Sequence, residues 1–206
     1  MTRIAPIRFW FDFASPYAWF SMDRIGELAA RHGRELELRP FLLWAVLKKQ
    51  GIHPPGEAPV KWDYIVRDMK RSAAFFGVPY VHPDQIPFSA HRAGRLFYTI
   101  RERDPERADQ LAYAIMRALF AEGRDIADPE VLREIAAAHG LEREEADTAL
   151  EGAEGRALLA ASVDEAAADG VCGSPFILVD REPFFGADRL PQIEWRLSAG
   201  SSPREA

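Results

Sequence analysis

The chain has 206 residues, of which 48% are hydrophobic and 28% charged, enough for a substantial buried core and unlike a disordered chain. A net charge of −6 with no basic stripe argues against a nucleic-acid partner, and no apolar run reaches the length of a membrane span. The single cysteine, Cys172, excludes an internal disulfide framework, and Met1–Pro6 lacks the uncharged apolar core of a signal peptide, so a cytoplasmic, reducing setting is expected.

Ile7 to Phe13 is apolar apart from Arg8 and Asp12, which predicts a strand covered on both faces. Ser15 and Pro16 then supply an N-cap and a first helical residue. The helix they open is expected to run to about His32 and stop at Gly33. Glu35 to Pro40 alternates with period two and predicts a second strand, parallel to the first.

From about Phe41 to Gly170 the pattern is helical, without a convincing strand. Trp62, Ile65, Val66, Met69, Ala73 and Phe76 share one face of a helix ended by Gly77. Asp104-Pro105 and Asp128-Pro129 are start signals for two more. Leu158 to Ala168 is an alanine-rich helix, and Gly77 to Phe88, with three prolines, is a loop.

Phe176 to Asp180 predicts a third strand, Arg181-Glu182 a turn, and Pro183 to Phe185 a short fourth strand. A last helix starts near Asp188 and ends by Gly200, leaving Ser201 to Ala206 as a disordered tail. The order βαβ, helical block, ββα predicts an α/β domain of residues 1–40 and 171–200 around an all-helical insertion, 41–170.

Two segments carry chemistry. Ser15 sits at a helix N-terminus just past a strand end, where α/β folds bind ligands and the helix dipole favours an anion. Without a base or a Gly-x-Ser-x-Gly elbow it is a poor nucleophile. It is suited instead to donate a hydrogen bond to another molecule's thiolate; the plainer reading is an N-cap worth about 1 kcal/mol. In Ser174-Pro175, a cis bond would expose the Ser174 backbone to an extended peptide-like ligand, while an ordinary trans proline opening a strand is the simpler reading.

Cys172, with no partner cysteine, reads as a small residue packed in a turn. The five histidines show no ligand spacing, so no metal is expected. Asp188 either caps the last helix or meets a ligand amine beside Arg189 paired to a carboxylate. Lys48 either faces the same cleft or is an ordinary solvated lysine.

Phe11-Asp-Phe with Ser15-Pro-Tyr, Phe41 through Lys48 to Gly51, Asp68 to Pro79, Gly173-Ser-Pro-Phe and Phe184 to Leu190 together resemble the 2-hydroxychromene-2-carboxylate isomerase family. That family is kin to kappa-class glutathione transferases and, more distantly, to DsbA-like oxidoreductases. The resemblance implies a thioredoxin fold with an inserted helical domain, a homodimer, and glutathione as cofactor. By position, Ser15 would contact the glutathione sulfur, flanked by Pro16 and Tyr17. Ser174, before a cis Pro175, would pair with the cysteinyl backbone. Ala187 and Asp188 would hold the γ-glutamyl end, next to Arg189, and Lys48 would lie on the side of a small aromatic substrate.

The implied reaction is cis–trans isomerisation of an aromatic 2-oxo acid by reversible thiolate addition. A kappa-type transferase or peroxidase and a redox-inactive binding module are the alternatives. Three positions depart from the family pattern. Ile52 stands where an asparagine often helps hold glutathione, Trp44 and Trp62 stand where smaller residues are common, and Cys172 replaces an apolar residue.

Overall fold

The computed structural model describes residues 4–52, 59–83 and 89–199. Strand β1 (Ile7–Phe11) leads through helix α1 (Pro16–Arg31) to strand β2 (Leu36–Pro40). Helices α2 (Leu43–Lys49), α3 (Pro59–Phe76), α4 (His91–Arg101), α5 (Pro105–Phe120), α6 (Pro129–Ala138), α7 (Arg143–Glu151) and α8 (Ala153–Ala168) follow. Strands β3 (Phe176–Val179) and β4 (Glu182–Phe185), a 3-10 turn at Ala187–Arg189 and helix α9 (Leu190–Ser198) complete the order. The sheet runs β2-β1-β3-β4, with β1 and β2 parallel and the other pairs antiparallel. This is the thioredoxin arrangement expected from the sequence, its βαβ and ββα halves separated along the chain by helices.

β1 is buried on both faces. Ile7, Phe9 and Phe11 join Ile177 and Val179 of β3 in the main apolar cluster, which continues into Leu96, Leu111 and Ile115 of α4 and α5. Trp10 points the other way, into a smaller cluster with Phe41, Val46, Val163 and Leu178. Each such aromatic or aliphatic side chain contributes about 1.5–3 kcal/mol when fully buried. The strand ends at Phe11, two residues before the expected Phe13, because Asp12 turns the chain. Its carbonyl accepts from the Ser15 N–H at 2.9 Å and its carboxylate from the Ala14 N–H at 2.9 Å.

Capping chemistry fixes the helix starts that the sequence signalled. Ser15 accepts from the Ala18 N–H, Asp104 from the Arg107 N–H and Asp128 from the Glu130 N–H. Gly33, at φ 62°, takes the left-handed turn after α1. The β3–β4 turn lies one residue earlier than expected, at Asp180-Arg181, whose φ values of 51° and 73° make the tight hairpin. Arg34 pairs with Asp180 at 2.7 Å and steadies that turn from across the sheet.

The end of β2 is pinned from the helical side. The Pro40 carbonyl accepts from the Tyr98 and Ser162 hydroxyls, each at 2.8 Å. Over residues 77–83 the expected loop contains neither helix nor strand. Its remainder, 84–88, and the expected tail, 201–206, lie outside the described residues. Among the described residues no helix is long and apolar enough to cross a membrane.

Candidate active site

Three chain segments meet at one end of β1. The first is the turn from β1 into α1, carrying Asp12 and Ser15. The second is the start of α2 after β2, and the third is the loop before β3, where the Ser174–Pro175 bond is cis. The Ser15 hydroxyl donates to the Ser174 carbonyl at 3.0 Å while accepting from the Ala18 N–H at 3.4 Å. Ser15 thus serves both as the cap of α1 and as a tie to the cis-proline loop. Its burial at 8% exposure leaves one edge open to the cleft.

Asp12 joins all three segments. Its Oδ1 accepts from the Ala14 N–H at 2.9 Å, its Oδ2 accepts from the Leu43 N–H at 2.8 Å, and its own N–H donates to Ser174 Oγ at 2.9 Å. Burial pushes its carboxyl up to about 6, against the opposing pull of the Ala14 and Leu43 N–H groups. A second acid ties the third wall in place: the Tyr17 hydroxyl donates to Asp68 on α3 at 2.7 Å, and Arg71 pairs with the same carboxylate. Burial raises Asp68, but the Tyr17 and Arg71 hydrogen bonds outweigh it and hold the carboxyl below its usual range. Burial and the adjacent Asp68 push the Tyr17 hydroxyl well above its ordinary value.

Between these segments lies a cavity of about 350 Å³. Leu43, Trp44 and Leu47 of α2 and Trp62, Ile65 and Met69 of α3 give it apolar walls. Ser15, Ser174, Cys172 and Asp12 stand on the sheet side, and Lys61 is the cation among its described lining residues. No ion pair or hydrogen bond engages Lys61 among the described residues. No histidine lines the cavity among the described residues, and the Ser15 hydroxyl donates to a backbone carbonyl rather than to a base that would make it a nucleophile.

The structure gathers Ser15, Pro16, Tyr17, Ile52 and Ser174 around this cavity. Pro175 is buried directly behind it, and its carbonyl accepts from the Gly186 N–H at 3.0 Å, which brings the Ala187–Arg189 turn alongside. Asp188 does not cap α9; it is exposed and paired with Arg189 at 3.0 Å. Lys48 is exposed and does not line the cavity. Cys172 is exposed on the cavity rather than packed in a turn, because Gly173 beside it takes the buried position against the Phe185 ring.

Asp12 and Lys61 were not singled out by the sequence reading. An acid inside the apolar run Phe9 to Phe13 was the available signal for Asp12. Lys61 stands one turn before Ile65 on the edge of the apolar face of α3, a position that only the packing of α3 over α1 turns toward a site.

The chain matches the family described as the DSBA-like thioredoxin domain over residues 6–198. It is 27% identical over 190 residues to a 2-hydroxychromene-2-carboxylate isomerase of Sphingobium xenophagum, covering 91% of this chain and 95% of that one. It is 25% identical over 203 residues to glutathione S-transferase kappa 2 of Caenorhabditis elegans, covering 91% and 89%. A solved 2-hydroxychromene-2-carboxylate isomerase shares the fold with a TM-score of 0.83 over 94% of both chains, at 23% identity. With a family match along almost its whole length, the chain belongs to the DsbA-like thioredoxin family, and its relatives there include isomerase and glutathione transferase enzymes.

Proposed function

We propose that the protein is a glutathione-dependent isomerase. In this reading it converts 2-hydroxychromene-2-carboxylate, or a similar aromatic 2-oxo acid, to the trans-benzylidenepyruvate isomer. The observation that carries the reading is the meeting of Ser15 with the cis Ser174–Pro175 loop on a tryptophan-walled cavity lined also by Lys61. The names of the isomerase and kappa-transferase relatives support it.

The donor set suits glutathione. Among the described residues the Ser174 N–H has no hydrogen-bond partner, and its carbonyl accepts from the Ser15 hydroxyl. An extended peptide finds both halves of a β-type backbone pairing there. Bound glutathione would supply a thiolate that adds to the conjugated double bond of the ring-opened acceptor and leaves again after the resulting single bond has turned. The protein's part is to favour the thiolate and orient the acceptor.

Rotation of the Ser15 hydroxyl from the Ser174 carbonyl toward the sulfur stabilises the anion. The N-terminus of α1 adds about 0.3–1 kcal/mol in the same direction. Trp44, Trp62 and Leu47 offer flat apolar surface to an aromatic ring. Lys61 supplies the charge for the acceptor's carboxylate, since Lys48 stands outside the cavity. Ile52, 46% exposed on the rim, gives glutathione an apolar contact in place of an amide. In this reading Ala187 and the Asp188–Arg189 pair, which stand outside the described cavity lining, meet the γ-glutamyl end. A homodimer and a cytoplasmic setting belong to the same reading.

The test is turnover of 2-hydroxychromene-2-carboxylate with and without glutathione. Isomer formation that needs glutathione without consuming it is the expected result. The kappa relative favours one second reading, conjugation, in which product leaves with glutathione attached. No turnover, together with no thermal stabilisation by millimolar glutathione, would remove both readings and leave a binding module.

A further inference from the structure

Asp12 has no part in the chemistry above, yet its carboxylate and backbone N–H together reach all three segments of the cleft. It is 5% exposed and lies one residue beyond β1. Its contacts reach the turn that carries Ser15, the start of α2 that carries Trp44, and the loop that carries Ser174. The hydrogen bond from Ser15 to the Ser174 carbonyl closes the ring. Among the described residues no cation pairs with Asp12, and its charge rests on two backbone N–H groups.

We propose that Asp12 is a positioning residue whose carboxylate fastens the turn that carries Ser15 to the start of α2 that carries Trp44, while its backbone N–H holds the Ser174 loop, in the shape that takes glutathione. The proposal rests on the glutathione reading above. An ionised carboxylate accepts on both oxygens. A protonated one carries a hydroxyl that would meet an N–H donor, so one of the two segment contacts is given up. Burial moves this change toward neutral pH. Among the described residues, the titratable groups that share the cavity are Tyr17 of α1, Lys61 of α3 and Cys172 of the loop before β3, while α2 and β4 present Leu43, Trp44, Leu47 and Phe185.

The test uses S-methylglutathione, whose sulfur carries no ionisable proton, titrated calorimetrically from about pH 7.5 to about pH 5. Wild-type affinity is expected to fall severalfold with a midpoint near 6. Asp12→Asn is expected to bind as weakly at neutral pH and to lack that midpoint. In the ligand-free protein, nuclear magnetic resonance should find the Ala14 and Leu43 amide signals titrating together with the Asp12 carboxyl. That measurement needs no variant, so it decides the matter even where Asp12→Asn fails to fold. Amides that do not follow the carboxyl, or identical pH profiles of the wild type and the variant, overturn the proposal. Amides that follow it while S-methylglutathione binds at no pH would uphold the fastening of the segments and overturn the glutathione reading.

Discussion

Replacing Asp12 by Asn removes a buried charge from the cleft, and the effect on stability depends on pH in a definite direction. The carboxyl moves from 3.8 in the unfolded chain to about 6 in the fold, a difference worth about 3 kcal/mol. Because the folded value is the higher one, folding takes up a proton between these two values. The favourable contribution is complete below 3.8 and is lost as pH rises through 6. Going from about pH 7.5 to about pH 4.5, the wild type therefore regains about 2 kcal/mol from this group, and Asp12→Asn regains none.

At neutral pH the variant escapes the buried charge but keeps one acceptor oxygen for two N–H groups, a loss of about 1–3 kcal/mol. It is expected to be as stable as the wild type, or up to about 2 kcal/mol more so. In acid that order should reverse or vanish. Thermal unfolding of both ligand-free proteins across this range measures the change, about 4–8 °C in the difference of Tm for a chain of this size. Asp109, which burial also raises to about 6, is retained in both proteins and drops out of the difference. A gap between the two proteins that stays constant with pH would refute the reasoning.

Ser15→Ala should lower the ultraviolet absorbance of glutathione thiolate in a protein–ligand mixture at neutral pH, and the lost cap should cost about 1 kcal/mol of stability; an undiminished thiolate signal would take Ser15 out of the chemistry. Lys61→Ala should raise KM for a carboxylate-bearing acceptor about tenfold, a loss of about 1.4 kcal/mol of binding with kcat nearly kept, whereas Lys48→Ala should leave both constants alone, and the opposite pattern would return Lys48 to the substrate side. In Gly173→Ala the new methyl would fall 1.9 Å from the Phe185 ring. Phe185 is 53% exposed, so the ring should swing rather than the backbone. Acceptor KM should then change while unfolding shifts by less than about 2 kcal/mol, and a larger loss of stability would mean that the ring is held rigidly.

The parts of the fold that were legible in the sequence are those set by short-range chemistry. Ser15, Asp104 and Asp128 cap their helices within a few residues, and each start was read correctly. Where a helix has no side-chain cap the signal is weaker, although the start of α9 was expected within two residues of Leu190. α4 opens at Ala90 and α7 at Glu142 without one, and neither stands out from the helical block in the sequence. α8 opens at Gly152, also uncapped, and starts at Ala153 rather than near Leu158. The β3–β4 turn slipped by a residue because Asp180 and Arg181 take left-handed conformations without a glycine, supported by Arg34 from far along the chain. In the site the same division holds: the Ser15 and Ser174 segments announce themselves, whereas the cavity wall depends on how α2 and α3 pack over them.

Two acids hold this cleft together, and they are in opposite electrostatic states. Asp68 is paired with Arg71 and hydrogen-bonded by Tyr17, which keeps it ionised well into acid. Asp12 has only backbone donors and gives up its charge near 6. As pH falls, the tie between α1 and α3 therefore outlasts the carboxylate tie between the turn into α1 and the start of α2. The α3 wall, with Lys61, Trp62 and Ile65, stays in place while the start of α2 loosens from the Ser15 turn; the Ser174 loop keeps its hydrogen bonds to the Asp12 N–H and the Ser15 hydroxyl. Acid should thus loosen the α2 side of the cavity before the α3 side, because one carboxylate has a cation and the other does not.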